Sequence, residues 1–70
     1  MTHFNPIQKE KVHNGYLCYT PAHVRGKTIF LQCHIINLIS PNFAEIEMVS
    51  DPLKARNMVE LKDLYDMIAV

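Results

Sequence analysis

Residues 28–40, TIFLQCHIINLIS, constrain this chain more than any other stretch, because β-branched, aromatic and aliphatic side chains follow one another with little polar relief. Such a composition favours extended backbone, and the run predicts one long strand that organises the whole protein. Its odd positions, Ile29, Leu31, Cys33, Ile35 and Ile39, are apolar with Asn37 as the exception, so this is the expected core face. The even positions, Thr28, Phe30, Gln32, His34, Ile36 and Leu38, begin mixed and become apolar, which predicts a strand that bends or is covered twice at its far end. An exposed Ile36 and Leu38 would form a partner site.

Seventy residues make one domain, and folding at this size removes only about 60% of the surface the unfolded chain exposes. Most aliphatic residues are therefore needed for the core. With 49% hydrophobic residues and only two glycines, the composition is that of a globular chain rather than a disordered one. Formal charge is zero but uneven: Lys9, Lys11, Arg25 and Lys27 face one acid in residues 1–40, whereas six acids outnumber Lys54, Arg56 and Lys62 in residues 41–70. Folding mixes these halves, so a compensated surface is expected, with a basic strip of Lys9, Lys11, Arg25 and Lys27 as the alternative.

Cys18 and Cys33 both fall in expected strands, where a thiol acts as a small hydrophobe. Reduced core cysteines are expected, with a disulfide feasible only if their strands are neighbours in register. No apolar segment reaches membrane-spanning length, and the chain reads as soluble and cytoplasmic.

Along the chain, residues 1–6 lack periodicity and end at Pro6, which predicts a flexible arm before a single domain over residues 7–70. Asn14-Gly15 marks a tight turn before a short strand at 16–19, Thr20-Pro21 ends that strand, and residues 22–26 form a loop. After a turn at Pro41-Asn42, Ala44, Ile46 and Met48 alternate with Glu45 and Glu47, the cleanest half-buried strand in the chain. Residues 57–70 admit two readings. As a helix, Met58, Leu61, Tyr65 and Ile68 share one face; as a strand, Val59 and Leu61 point inward, followed by a turn and a terminal apolar strand.

The order of GYLC, a long bent strand, AEIEMV, a loop at SDPLKARN and then VELKDLY resembles the small SH3-like barrels, and among them the Tudor type. The resemblance implies a mainly β fold, an SH3-like barrel of about five antiparallel strands with a short 3₁₀ or α-helical turn near residues 63–65. It also implies a binding module. Tudor-type readers of methylated lysine or arginine carry an aromatic cage, for which Tyr16, Tyr19, Phe30 and Phe43 are the candidates by position. Residues 49–53, VSDPL, stand where those readers carry an aromatic and a Gly-Asn turn. The likeness extends equally to compact barrel proteins of bacteria and their phages, which have no cage.

His3, His13, Cys18, His23, Cys33 and His34 show no zinc-knuckle spacing, and adjacent Cys33 and His34 point to opposite faces of a strand, so no metal and no cofactor is expected. A Cys18 nucleophile with His23 or His34 as base would also need an exposed thiolate and a pocket, for which so small a chain has little volume, so no enzymatic activity is expected. The sequence thus predicts a non-catalytic adaptor, regulator or inhibitor that docks on a protein partner, or on itself as a dimer, through Tyr16, Tyr19, Phe30, His34, Ile36 and Leu38. The alternative is a nucleic-acid-binding barrel using Lys9, Lys11, Arg25, Lys27 and an aromatic neighbour, against which the neutral net charge weighs.

Overall fold

The computed structural model describes residues 2–69. Six antiparallel strands form one sheet: β1 (Thr2–Pro6), β2 (Leu17–Val24), β3 (Lys27–Leu38), β4 (Phe43–Met48), β5 (Arg56–Glu60) and β6 (Tyr65–Ala69). Their spatial order is β1-β6-β2-β3-β4-β5. The mainly β class is as expected, but the sheet is open, with β1 and β5 as its edges, where the sequence predicts a barrel of five strands. Two 3₁₀ turns, Lys9–Lys11 and Leu61–Asp63, close the connections before β2 and before β6.

The sixth strand comes from the expected arm. Thr2–Pro6 pairs with β6 from Thr2↔Ala69 to Pro6↔Tyr65, and Pro6 is tolerated because it ends an edge strand, where a missing N–H breaks no ladder. A similar reason explains why β2 runs through Pro21. Beyond Tyr19, its one partner position on β6, β2 needs hydrogen bonds only towards β3. The expected loop at 22–26 is a two-residue hairpin turn in which Arg25 and Gly26 both adopt positive φ, 52° and 77°, the geometry that matches strand twist. Asn14-Gly15 does make a tight turn, with Gly15 at φ 90° and Tyr16 N–H donating to His13 C=O at 3.0 Å, but it joins a 3₁₀ turn to β2 rather than two strands.

β4 follows the expected alternation: Ala44 and Ile46 are buried, and Met48 packs against them. The strand reading of residues 57–61 also holds, since Val59 packs on the core, Leu61 is buried and Met58 is exposed. The 3₁₀ turn falls at Leu61–Asp63, two residues before the expected place. It carries Leu61 inward, and Leu64 follows it into the core.

Among the described residues seven are buried: Cys18, Cys33, Ile35, Ala44, Ile46, Leu61 and Leu64. Ile7, Val12, Tyr16, Met48 and Val59 pack around them. Of the odd face of residues 28–40 only Cys33 and Ile35 belong to this core, whereas Ile29 and Ile39 are exposed. For Ile29 the physical cause is length. β3 has twelve residues and β4 six, and the β4 ladder ends at Cys33↔Met48, so the first half of β3 extends past its cover.

The expected bend exists as a bulge between Ile35 and Asn37. The unpaired Ile36 shifts the parity of the residues beyond it, so Leu38 lies opposite Ala44 on the core side, while Asn37 lies opposite Glu45. Phe30, His34, Ile36 and Leu38 therefore do not share one face.

A second cluster sits on the opposite face. Phe4 stacks on Phe30 with ring centroids 4.0 Å apart, Tyr19 meets Phe4 edge-on at 5.3 Å, and Tyr65 meets Phe30 in the same way at 5.3 Å. Phe4 is on β1 and Phe30 on β3, with β6 and β2 between them. In a flat sheet they would be about 14 Å apart, three strand spacings. The β1–β6 ribbon must therefore curl over the outer face of β2 and β3, and the aromatic stack fills the fold.

Candidate interaction surface

The overhang of β3 leaves a run of apolar side chains partly open to solvent. From Thr20 to Leu31, β2 and β3 pair only with each other, because β6 meets β2 at Tyr19 alone and β4 stops opposite Cys33. Val49 N–H donates to Gln32 C=O at 3.1 Å and closes the β4 side there. Cross-strand partners share a face, so Thr20↔Leu31, Ala22↔Ile29 and Val24↔Lys27 continue the face of the buried Cys18↔Cys33 pair into the open. On it Val24 is 47% and Ile29 41% exposed, and Ala22 and Leu31 are half-buried. The reverse face of the ribbon carries Pro21 and Phe30, which the Phe4 ring covers, and His23 with Thr28, whose Nδ1 and Oγ1 are 3.1 Å apart.

The charged residues of the ribbon itself have one sign. Arg25 and Lys27 mark its tip, and no acid occurs between Glu10 and Glu45 in the sequence. Lys9 lies elsewhere: its Nζ donates to Asn42 Oδ1 at 2.8 Å, in the turn beyond the opposite end of β3. The whole of β3 separates Lys9 from Lys27. Lys9 and Lys11, on their 3₁₀ turn, thus form no continuous strip with Arg25 and Lys27.

The other candidates are distributed over both faces. Tyr16 packs against the core, and its hydroxyl donates to Asp66 Oδ1 at 2.7 Å. That bond and, after it, burial push the Tyr16 pKa up to about 12. Tyr19 is half-buried beside Phe4, and its hydroxyl accepts from Gln32 Nε2 at 3.3 Å. Phe30 is held in the stack. Ile36 is half-buried at the bulge, and Leu38 is 40% exposed beside Ala44, its N–H donating to Asn14 Oδ1 at 3.1 Å.

His34 belongs to a polar row across three strands. Its Nε2 is 3.7 Å from Glu47 Oε1, and Arg56 Nε is 3.5 Å from Glu47 Oε2. The three residues are register neighbours, His34↔Glu47 and Glu47↔Arg56. Glu47 is only 16% exposed, with the His34 ring and the Arg56 guanidinium beside its carboxylate. Cys18 and Cys33 are free thiols paired across β2 and β3, with Sγ atoms 3.6 Å apart. Contact with Cys33 first, and burial second, push the Cys18 thiol up, away from the thiolate that a nucleophile requires.

Val24, Phe4 and the uncovered half of Ile29 are missed by sequence reasoning. Comparing the length of the 28–40 run with the five-residue alternation at 44–48 would have exposed the overhang, since a short strand cannot cover a long one. No cavity, and no group of three or more histidine, cysteine, aspartate or glutamate side chains fit for a metal, occurs among the described residues. No described helix is long and apolar enough to cross a membrane. Neither a protein-family model, nor a curated protein, nor a solved structure matches the chain.

Proposed function

We propose that the chain is a non-catalytic protein-interaction module that docks through the free end of its β2–β3 ribbon. One observation carries this reading. Residues 20–31 leave the sheet as a two-stranded ribbon with both edges free, and on one face Val24 and Ile29 are exposed beside half-buried Ala22 and Leu31. A lone two-stranded ribbon is marginally stable in water, and apolar positions gathered on it gain from burial against a partner. The basic tip, Arg25 and Lys27, gives the partner its chemistry: a protein surface of aliphatic side chains bordered by carboxylates. We read the sheet as an opened SH3-like barrel. The long strand bent at Ile36 and the 3₁₀ turn ahead of the last strand support that reading.

Site-specific photo-crosslinking in host lysate tests the proposal, with the reactive group at position 29 or, as a control, at Glu10. The expected result is a protein cross-linked from position 29 alone, and no such cross-link forms when Val24→Asp is introduced or when salt is raised before irradiation. Cross-links to nucleic acid only would favour the alternative built on Arg25 and Lys27, and their complete absence would defeat docking through this ribbon.

A further inference from the structure

β5 ends the sheet, and its free edge is self-complementary. Two backbone bonds at the limits of the β4–β5 pair, Met48 N–H to Ala55 C=O at 3.4 Å and Leu61 N–H to Asn42 C=O at 2.8 Å, fix which groups of β5 address β4. Bonded and non-bonded positions alternate along an antiparallel pair, so Ala55, Asn57, Val59 and Leu61 direct their N–H and C=O groups at β4. Arg56, Met58 and Glu60 direct theirs at the open edge. Their side chains also share one face, opposite Glu47, Glu45 and Phe43, and Met58 is 64% exposed.

We infer that the protein forms a two-fold symmetric dimer in which β5 pairs antiparallel with β5 of a second copy, centred on Met58. In that register the outward bonding positions meet each other. Arg56 lies opposite Glu60 of the second copy, Met58 opposite its counterpart, and Glu60 opposite Arg56 of the second copy. Each facing pair exchanges two N–H to C=O bonds, opposite charges lie directly across the strands at both ends, and the two methionines cover each other between them. Sliding the second copy by two residues sets Met58 against a charge and loses both ion pairs, so charge selects the register.

An open edge is a template for such pairing, and a two-fold contact closes at two copies instead of growing into a fibre. Zero net charge removes overall repulsion between copies. With only five residues in the strand, the contact is small, and it belongs with weak, concentration-dependent interfaces. The dimer uses a different edge from the β2–β3 ribbon and stands whether or not that ribbon docks.

Sedimentation equilibrium of the full chain, from micromolar to millimolar concentration, reads the inference directly. The expected weight-average mass rises from 8.1 kDa towards twice that value; a mass that stays at one chain throughout overturns the dimer. Met58→Pro removes an outward N–H while leaving the β4 ladder its bonds. It is expected to keep the far-ultraviolet circular dichroism spectrum and remain at the mass of one chain, and a folded, still dimeric Met58→Pro chain overturns the β5 contact. Two charge variants test the register without a proline. Arg56→Glu sets acid against acid at both ends and Glu60→Arg sets base against base, so each alone should dimerise about tenfold more weakly. Mixed together, the two chains restore opposite charges at both ends and should associate at least as tightly as the unaltered protein; failure to do so overturns the register.

Discussion

Tyr16 ties the start of β2 to β6 through one proton. Its hydroxyl donates to Asp66, and this raises its pKa from the usual 10.0 to about 12. The folded chain thus holds the proton more tightly than the unfolded one, so the contribution to stability is complete below the unfolded value. It is lost as pH rises through the folded value. Tyr16→Phe should cost about 1 kcal/mol at neutral pH, measured by urea denaturation, and its deficit relative to the unaltered chain should shrink as the pH approaches the folded pKa. A deficit independent of pH would mean that the hydroxyl contributes through packing and not through its bond to Asp66. Cys18 and Cys33 show the same dependence of chemistry on surroundings: full burial and mutual contact make them core side chains.

Along β3, identical residues on one face have different surroundings. Ile35 is fully buried between Cys33 and the β4 side chains, whereas Ile29 stands on the uncovered ribbon. Ile35→Ala should therefore cost about 3 kcal/mol, a substantial share of the stability of so small a domain. Ile29→Ala should cost less than about 1 kcal/mol. Equal losses in the two denaturation curves would contradict the overhang. Period-two alternation makes the core face of β4 legible in the sequence, because Glu45 and Glu47 interrupt the apolar positions at regular intervals. The same rule fails on β3 for two physical reasons. Parity is broken by the bulge at Ile36, and burial depends on how far the neighbouring strand reaches. The hairpin at Arg25-Gly26 was illegible because arginine gives no sign of adopting positive φ, and the arm at residues 1–6 concealed a strand because its partner lies at the other end of the chain. Of the candidate surface, the tyrosines, Phe30 and His34 could be named from sequence. That Phe30 is covered by Phe4 depends on a curl of the sheet that no local pattern encodes.

At the scale of the molecule, one sheet carries two clusters on opposite faces, an aliphatic and thiol core under β2 to β5 and an aromatic stack under the β1–β6 ribbon. Removing the central ring separates their contributions. Phe4→Ala should speed amide hydrogen exchange across β1 and β6 while leaving the protection of β3 and β4 near its original level; loosening spread evenly over all six strands would show that the two clusters open as one. Between these regions the backbone is joined at a single register pair, Tyr19 and Tyr65. In mechanical terms that pair is a hinge pin and the stacked rings are its latch. A load drawing β6 away from β2 has one rung of backbone to break there, against the full ladder that joins β2 to β3. The sheet would part at the pin, and β2 to β5 would stay whole.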